Sequence, residues 1–143
     1  MYESYTKQSL PIQEYRELLG TALCVFNSNN GFIIENILRM SDSSDWYTLT
    51  DKESGRLKSD VSKPISKECG SNEILDSFSE IVEMRNRIIH SFRITSSDGE
   101  QILATKTRVQ DGNIQFEITQ DYLMEFIVKN DKLSELLHEL HGY

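Results

Sequence analysis

Residues Asn72 to Phe92 read NEILDSFSEIVEMRNRIIHSF, and the spacing inside this stretch decides how the chain folds. Wound at 100° per residue, Ile74, Leu75, Phe78, Ile81, Val82, Ile88, Ile89 and Phe92 gather into one broad arc. Glu73, Asp76, Glu80, Glu83 and Arg87 fall on the opposite side. That is the pattern of a helix laid against a core. One residue interrupts it: Arg85 projects into the middle of the apolar arc, flanked by Phe78, Ile81, Ile89 and Phe92. A guanidinium cannot shed its charge, and taking it out of water uncompensated costs several kcal/mol. Arg85 therefore needs an anionic partner, a polar cleft or an interface. Asn86 and His90, four apart and so on one face, stand at the edge of the same arc.

Upstream, residues 1–10 form a polar lead-in, and Pro11 suits the first turn of a helix. From Tyr15 the apolar positions run Leu19, Ala22, Phe26, Ile33, Ile37 and Met40, widened by Leu18, Leu23, Val25 and Ile34. The segment Asn27-Ser28-Asn29-Asn30-Gly31 has the composition of a loop, yet the stripe keeps its phase on both sides of it. A loop resets phase, so one long helix over about 12–40, with room for a kink near Gly31, is predicted, and a helix–loop–helix break is the alternative. Ser41 to Thr50 reads as a loop. Thr50 and Glu53 have the capping-box spacing for a short peripheral helix through Val61, anchored by Leu57 and Val61 and ended by Pro64. Gly70-Ser71-Asn72 supplies the turn and cap for the central helix.

Downstream, Ser96-Ser97-Asp98-Gly99 is a turn. Ile102 to Val109 and Ile114 to Ile118 are β-type runs around Gln110-Asp111-Gly112-Asn113, and Asp-Gly between two such runs signals a hairpin. Ile114, Phe116 and Ile118 alternate with Gln115 and Glu117, which places one face on the protein. Thr119 caps a last helix striped by Tyr122, Phe126, Leu133, Leu136, Leu137 and Leu140, with Glu125, Asp131, Glu135 and Glu139 facing solvent and Gly142 ending it. The expected architecture is mainly all-α: one domain over residues 1–143, a helical bundle with a β-hairpin inserted before the last helix.

Composition narrows the function classes. The chain has 143 residues, enough to bury one sizeable core. A net charge of −8 counts against broad, non-specific nucleic-acid binding, which rests on neutralising phosphates. It leaves room for a local basic site: Arg87 and Arg93 are the candidate binding residues beside Arg85 and His90. Arg56, Lys58, Lys63 and Lys67 form a second basic run, read as a solvated face. No apolar run reaches the roughly 20 residues of a membrane span, and the first residues lack the pattern of a secretion signal, so a cytoplasmic protein without a membrane partner is expected. Cys24, on an apolar helical face, is expected to be a buried thiol. With Cys69 it makes neither a disulfide framework nor a metal spacing. His138 and His141, in the last turn of the final helix, suit its dipole better than ligation.

The chemistry rests on Arg85-Asn86-Arg87-Ile88-Ile89-His90. Arg85 and His90 diverge by about 140° and lie roughly 7.5 Å apart along the axis, so one helix presents them poorly to one reacting atom. Two copies across a two-fold axis would put an arginine and a histidine from each into one cleft. There a histidine can take a proton from a ribose 2′-hydroxyl or give one to the leaving oxygen. An arginine can hold the phosphate and its developing charge. Asparagine orients the imidazole or the phosphate. A structural use is the alternative, Arg85 pairing with a carboxylate such as Glu35 on the first helix.

The string RNRIIH resembles the Arg-Asn-x-x-x-His signature of the HEPN superfamily (higher eukaryotes and prokaryotes nucleotide-binding). The long first helix with Leu18-Leu19-Gly20 and Phe26, ahead of a motif near the end of a later helix, is similar as well. The likeness spans roughly residues 12 to 93 in pattern and six residues as a motif. It implies a HEPN-like helical bundle and a metal-independent endoribonuclease without cofactor, acting on RNA as a homodimer, with Arg85, Asn86 and His90 as catalytic positions. Cleavage would leave a 2′,3′-cyclic phosphate and a 5′-hydroxyl. Toxin–antitoxin pairs and phage defence are the systems it implies, with an antitoxin as partner. The rival is a non-catalytic HEPN-like dimerisation or nucleotide-binding module working beside a partner such as a nucleotidyltransferase. The hairpin belongs to neither expectation.

Overall fold

The structure, a computed structural model, describes residues 2–40, 45–52, 54–62 and 64–141. Among the described residues six α-helices, α1 (Gln13–Met40), α2 (Trp46–Asp51), α3 (Ser54–Ser62), α4 (Pro64–Cys69), α5 (Glu73–Ile89) and α6 (Gln120–His141), surround one core. Between α5 and α6 the strands β1 (Phe92–Thr95), β2 (Gln101–Lys106) and β3 (Gln115–Ile118) make a three-stranded antiparallel sheet in the order β1-β2-β3.

The first helix is unbroken. Its buried residues Ala22, Phe26, Asn29, Ile33 and Ile37 recur at three- and four-residue steps, so the stripe runs straight through the polar segment. Asn29 is tolerated there because its amide donates to the Asn130 carbonyl at 2.7 Å and to Asn130 Oδ1 at 3.0 Å, while the Asn130 amide donates to the Phe126 carbonyl. Buried polar groups with partners do not break a core. Phe26 stacks on Phe126 (6.0 Å), Asn29 meets Asn130 and Phe32 meets the His138 ring (4.9 Å), so partners advance together and α1 and α6 run parallel. The α5 helix runs against both: Tyr122 reaches the Met84 carbonyl and Lys129 reaches Glu80.

Between residues 41 and 70 the structure corrects the expected layout. Positions 41–44, 53 and 63 lie outside the described residues, so Glu53 as a cap and Lys63 in the second basic run go with them. The rest of the expected loop is helical: Asp45 caps α2, its carboxylate accepting from the Thr48 amide (3.0 Å) and hydroxyl (2.7 Å). Those bonds to the charged form hold the Asp45 carboxyl below its ordinary pKa. Thr50 is no cap; its hydroxyl turns back onto the Trp46 carbonyl (2.8 Å). The helix α3 does stop at Ser62, ahead of Pro64, and Pro64 itself opens α4, at the position where its missing N–H is an orphan anyway. Nor is this segment peripheral, since Leu49, Leu57, Val61 and Ile65 are fully buried. Cys24 is exposed, not buried, as is Cys69, whose thiol is pushed up by partial burial and then by Glu68 and Glu73.

The central helix is shorter than its periodicity suggests. It stops at Ile89, with His90 as C-cap and the Ser91 hydroxyl donating to the Ile88 carbonyl at 2.5 Å. Phe92 fits the helical arc in phase but pairs with Ala104 as the first residue of β1. Strand pairing across a turn outweighs one more helical residue. The hairpin between β2 and β3 is present, and Thr119 caps α6 by accepting from the Tyr122 amide (3.0 Å). Ile118 is buried and Phe116 half-buried, but Ile114 is exposed, because β3 begins after it. Gly142 lies outside the described residues.

Tyr15 fastens the sheet to α1. Its hydroxyl accepts from the Leu103 amide (3.1 Å) and donates to the Ile118 carbonyl (2.5 Å), sitting between two residues that face each other across β2 and β3. Tyr15→Phe should leave a buried donor and acceptor apart and lower stability by about 1–3 kcal/mol, read as a lower urea midpoint at unchanged slope. A midpoint equal to wild type would mean the strands close directly without the hydroxyl.

Tyr122, half-buried on Phe116 (5.8 Å between centroids), has its phenol pushed up to about 12 by burial, with Glu83 adding to the rise and Arg87 opposing it. A raised folded pKa gives stability that is complete below the unfolded value of about 10 and is lost as pH climbs through the folded one. The urea midpoint is therefore expected to fall between pH 10 and 12, less steeply in Tyr122→Phe. Identical slopes in the two proteins would remove Tyr122 as the cause.

Candidate functional site

The last two turns of α5, the start of β1 and the end of β2 converge at one end of the bundle. Arg85 is half-buried, not sunk in the core. Its guanidinium lies 5.4 Å above the Phe26 ring of α1 and its Nη1 donates to Asn86 Oδ1 at 3.4 Å. The ring face meets part of the charge. Glu35 does not supply that anion: it is exposed and nine residues beyond Phe26, roughly 13 Å along the axis. Among the described residues Arg85 has no carboxylate partner, which leaves its charge to be met from outside.

His90 is exposed, and it is fixed through its backbone. Its amide donates to the Asn86 carbonyl (3.0 Å) and its carbonyl accepts from the Thr105 hydroxyl (3.4 Å). Among the described residues the imidazole has no hydrogen-bond partner at the C-terminal end of α5, while main-chain bonds from two elements set its position. Asn86 links the two ends of the motif, its side chain to Arg85 and its carbonyl to His90. No hydrogen bond joins Arg85 directly to His90 among the described residues.

Two expected binding residues have other partners. Arg87 falls on the solvent side of α5 by periodicity, yet its side chain is only 11% exposed, with Nε 3.3 Å from Glu83. That Nε has no aligned hydrogen bond, whereas Nη1 donates to the Lys106 carbonyl. Arg87 therefore ties α5 to β2. Arg93, exposed on β1, donates to the Ser9 carbonyl and pins the lead-in, which Arg16 also holds through Glu3 (2.7 Å).

Three further residues complete the site: Phe26, expected as a stripe position of α1 and part of the family likeness but not as the seat of Arg85; Thr105, fully buried, which holds His90; and Lys106, which the Arg87 bond draws up to the motif. Only Thr105, a polar residue facing the core beside apolar neighbours, left a local signal. The clefts of about 230, 470 and 290 Å³ are lined by residues other than Arg85, Asn86 and His90. Ile89 and Phe92, which flank His90 in sequence, are each 42% exposed.

Among the described residues no group of three or more His, Cys, Asp and Glu stands together, and no helix is long and apolar enough to cross a membrane. No protein-family model matches the chain, and no curated protein or solved structure matches it.

Proposed function

We propose that the protein is a HEPN-like, metal-independent endoribonuclease that acts as a homodimer. The observation that carries this is the state of Arg85: a guanidinium held on an aromatic face, unpaired with any carboxylate among the described residues, at the helix end that also presents an exposed His90. Arg85 binds the scissile phosphate and stabilises the charge that builds on it. His90 moves the proton to or from the ribose oxygen. Ile74, Phe78, Ile81 and Val82 of the α5 apolar arc are buried within the protomer, so two copies meet through its C-terminal end, where Ile89 is exposed. A role as a toxin or phage-defence component, with an antitoxin as partner, follows from the same reading.

Purified protein incubated with total RNA in EDTA should yield fragments ending in 2′,3′-cyclic phosphate and 5′-hydroxyl. Cleavage lost in EDTA and restored by magnesium would assign the chemistry elsewhere. One observation favours a second reading, a non-catalytic module beside a partner such as a nucleotidyltransferase: Arg87 and Arg93 are bonded to the chain's own carbonyls in a protein of net charge −8. Stable RNA in every condition, with a partner enzyme retained on the protein, would support it.

A further inference from the structure

Phe92 has no role in the core. It left the helix for the first position of β1, and 42% of it remains exposed. Side chains alternate along a strand, so Phe92 shares a sheet face with its cross-strand neighbour Ala104 and with Lys106 two residues on, while the buried Thr105 takes the other face. Thr105 is also the residue that holds the His90 carbonyl. An exposed aromatic ring thus stands two residues from the exposed imidazole and next to the strand end where Lys106 and Arg87 meet.

The charge around it is unlike that of the whole chain. The protein carries −8, yet Arg85 and Arg87 of α5, its C-cap His90 and Lys106 of β2 lie on the elements that frame Phe92. Lys106 Nζ donates to Asn113 Oδ1 (2.9 Å). Arg93 stands on the opposite sheet face, bonded to the Ser9 carbonyl. Glu83 pairs with Arg87 and Glu117 stands across Ala104 on the next strand. The cations at this end give the surface a charge that a polyanion complements. A polyanion with flat, unpaired bases meets both features, since bases stack on an aromatic face while the backbone meets the cations.

We infer that Phe92 is the stacking platform for an unpaired nucleobase beside Arg85 and His90, so that the RNA taken at this site is single-stranded. The inference rests on the ribonuclease reading and adds the substrate's form. Bases paired in a duplex keep their faces stacked on one another and have none to offer the ring.

The test is fluorescence anisotropy on His90→Ala protein, with labelled oligouridylate alone and annealed to oligoadenylate. Single-strand binding should exceed duplex binding, and Phe92→Ala and Phe92→Leu should each weaken it roughly 10-fold or more. Phe92→Tyr and Phe92→Trp should retain it, and duplex binding should not respond. Phe92→Leu keeps apolar bulk without a ring, so binding equal to the parent's would overturn the platform. No measurable single-strand binding would do the same. A lower light-scattering mass in Phe92→Ala would show the surface to be a contact between copies instead. Cleavage by wild type with Phe92-independent binding sinks this inference alone. Phe92-dependent binding without any cleavage sinks the ribonuclease reading and leaves the platform standing.

Discussion

His90→Ala should leave the thermal melt nearly unchanged and reduce RNA cleavage by roughly 10²–10⁴-fold. The first half follows from how His90 is held. The bond to the Asn86 carbonyl and the bond from the Thr105 hydroxyl both use its main chain, and alanine keeps both. The side chain is exposed, so its loss opens no cavity, and the cost should stay on the order of 0.5 kcal/mol. The second half follows if the imidazole transfers the proton. A variant that melts like wild type and cuts RNA equally well would end the ribonuclease reading in favour of the partner module. A much lower melting temperature would make His90 a structural residue, against the packing described above.

Arg85→Ala is expected to remove cleavage by roughly 10²–10³-fold, the scale of losing a preorganised donor to a developing negative charge. Its stability cost should be modest, about 0.5–1 kcal/mol for the contact with Phe26 at a partly exposed site. This is milder than burial at the centre of the arc implies, because half-burial leaves the head group in reach of water. Arg85→Lys keeps the charge but loses the planar fork and the stacked geometry, so it should recover only part of the rate. Arg85→Glu places a carboxylate on the ring face beside the same end of the partner's helix and should weaken the dimer, read as a fall in light-scattering mass. Cleavage by Arg85→Ala at the wild-type rate, or a wild-type protein that is monomeric at micromolar concentration, would refute the composite site.

What the amino-acid sequence determined by itself is whatever depends on neighbours three or four residues away, or on alternation within one strand. The unbroken α1 was legible because its stripe keeps phase across Asn27 to Gly31, and the helix is continuous there. The cap at Thr119, the hairpin around Asp111-Gly112 and the polar motif at the end of α5 were legible for the same local reasons. Tertiary structure alone decided the rest. Phe92 suits a helix by phase, yet its pairing with Ala104 is a contact twelve residues away that no helical period registers. Arg87 looks solvated by position, yet the end of β2 closes over it through the Lys106 carbonyl. Arg85 needs an anionic partner, a polar cleft or an interface by its position in the arc, and none of these names the Phe26 ring it lies over, nearly sixty residues upstream. Periodicity reports which face of an element is apolar; which atoms meet that face is set by how the elements pack, and in this protein that packing fixes the surroundings of every residue in the candidate site.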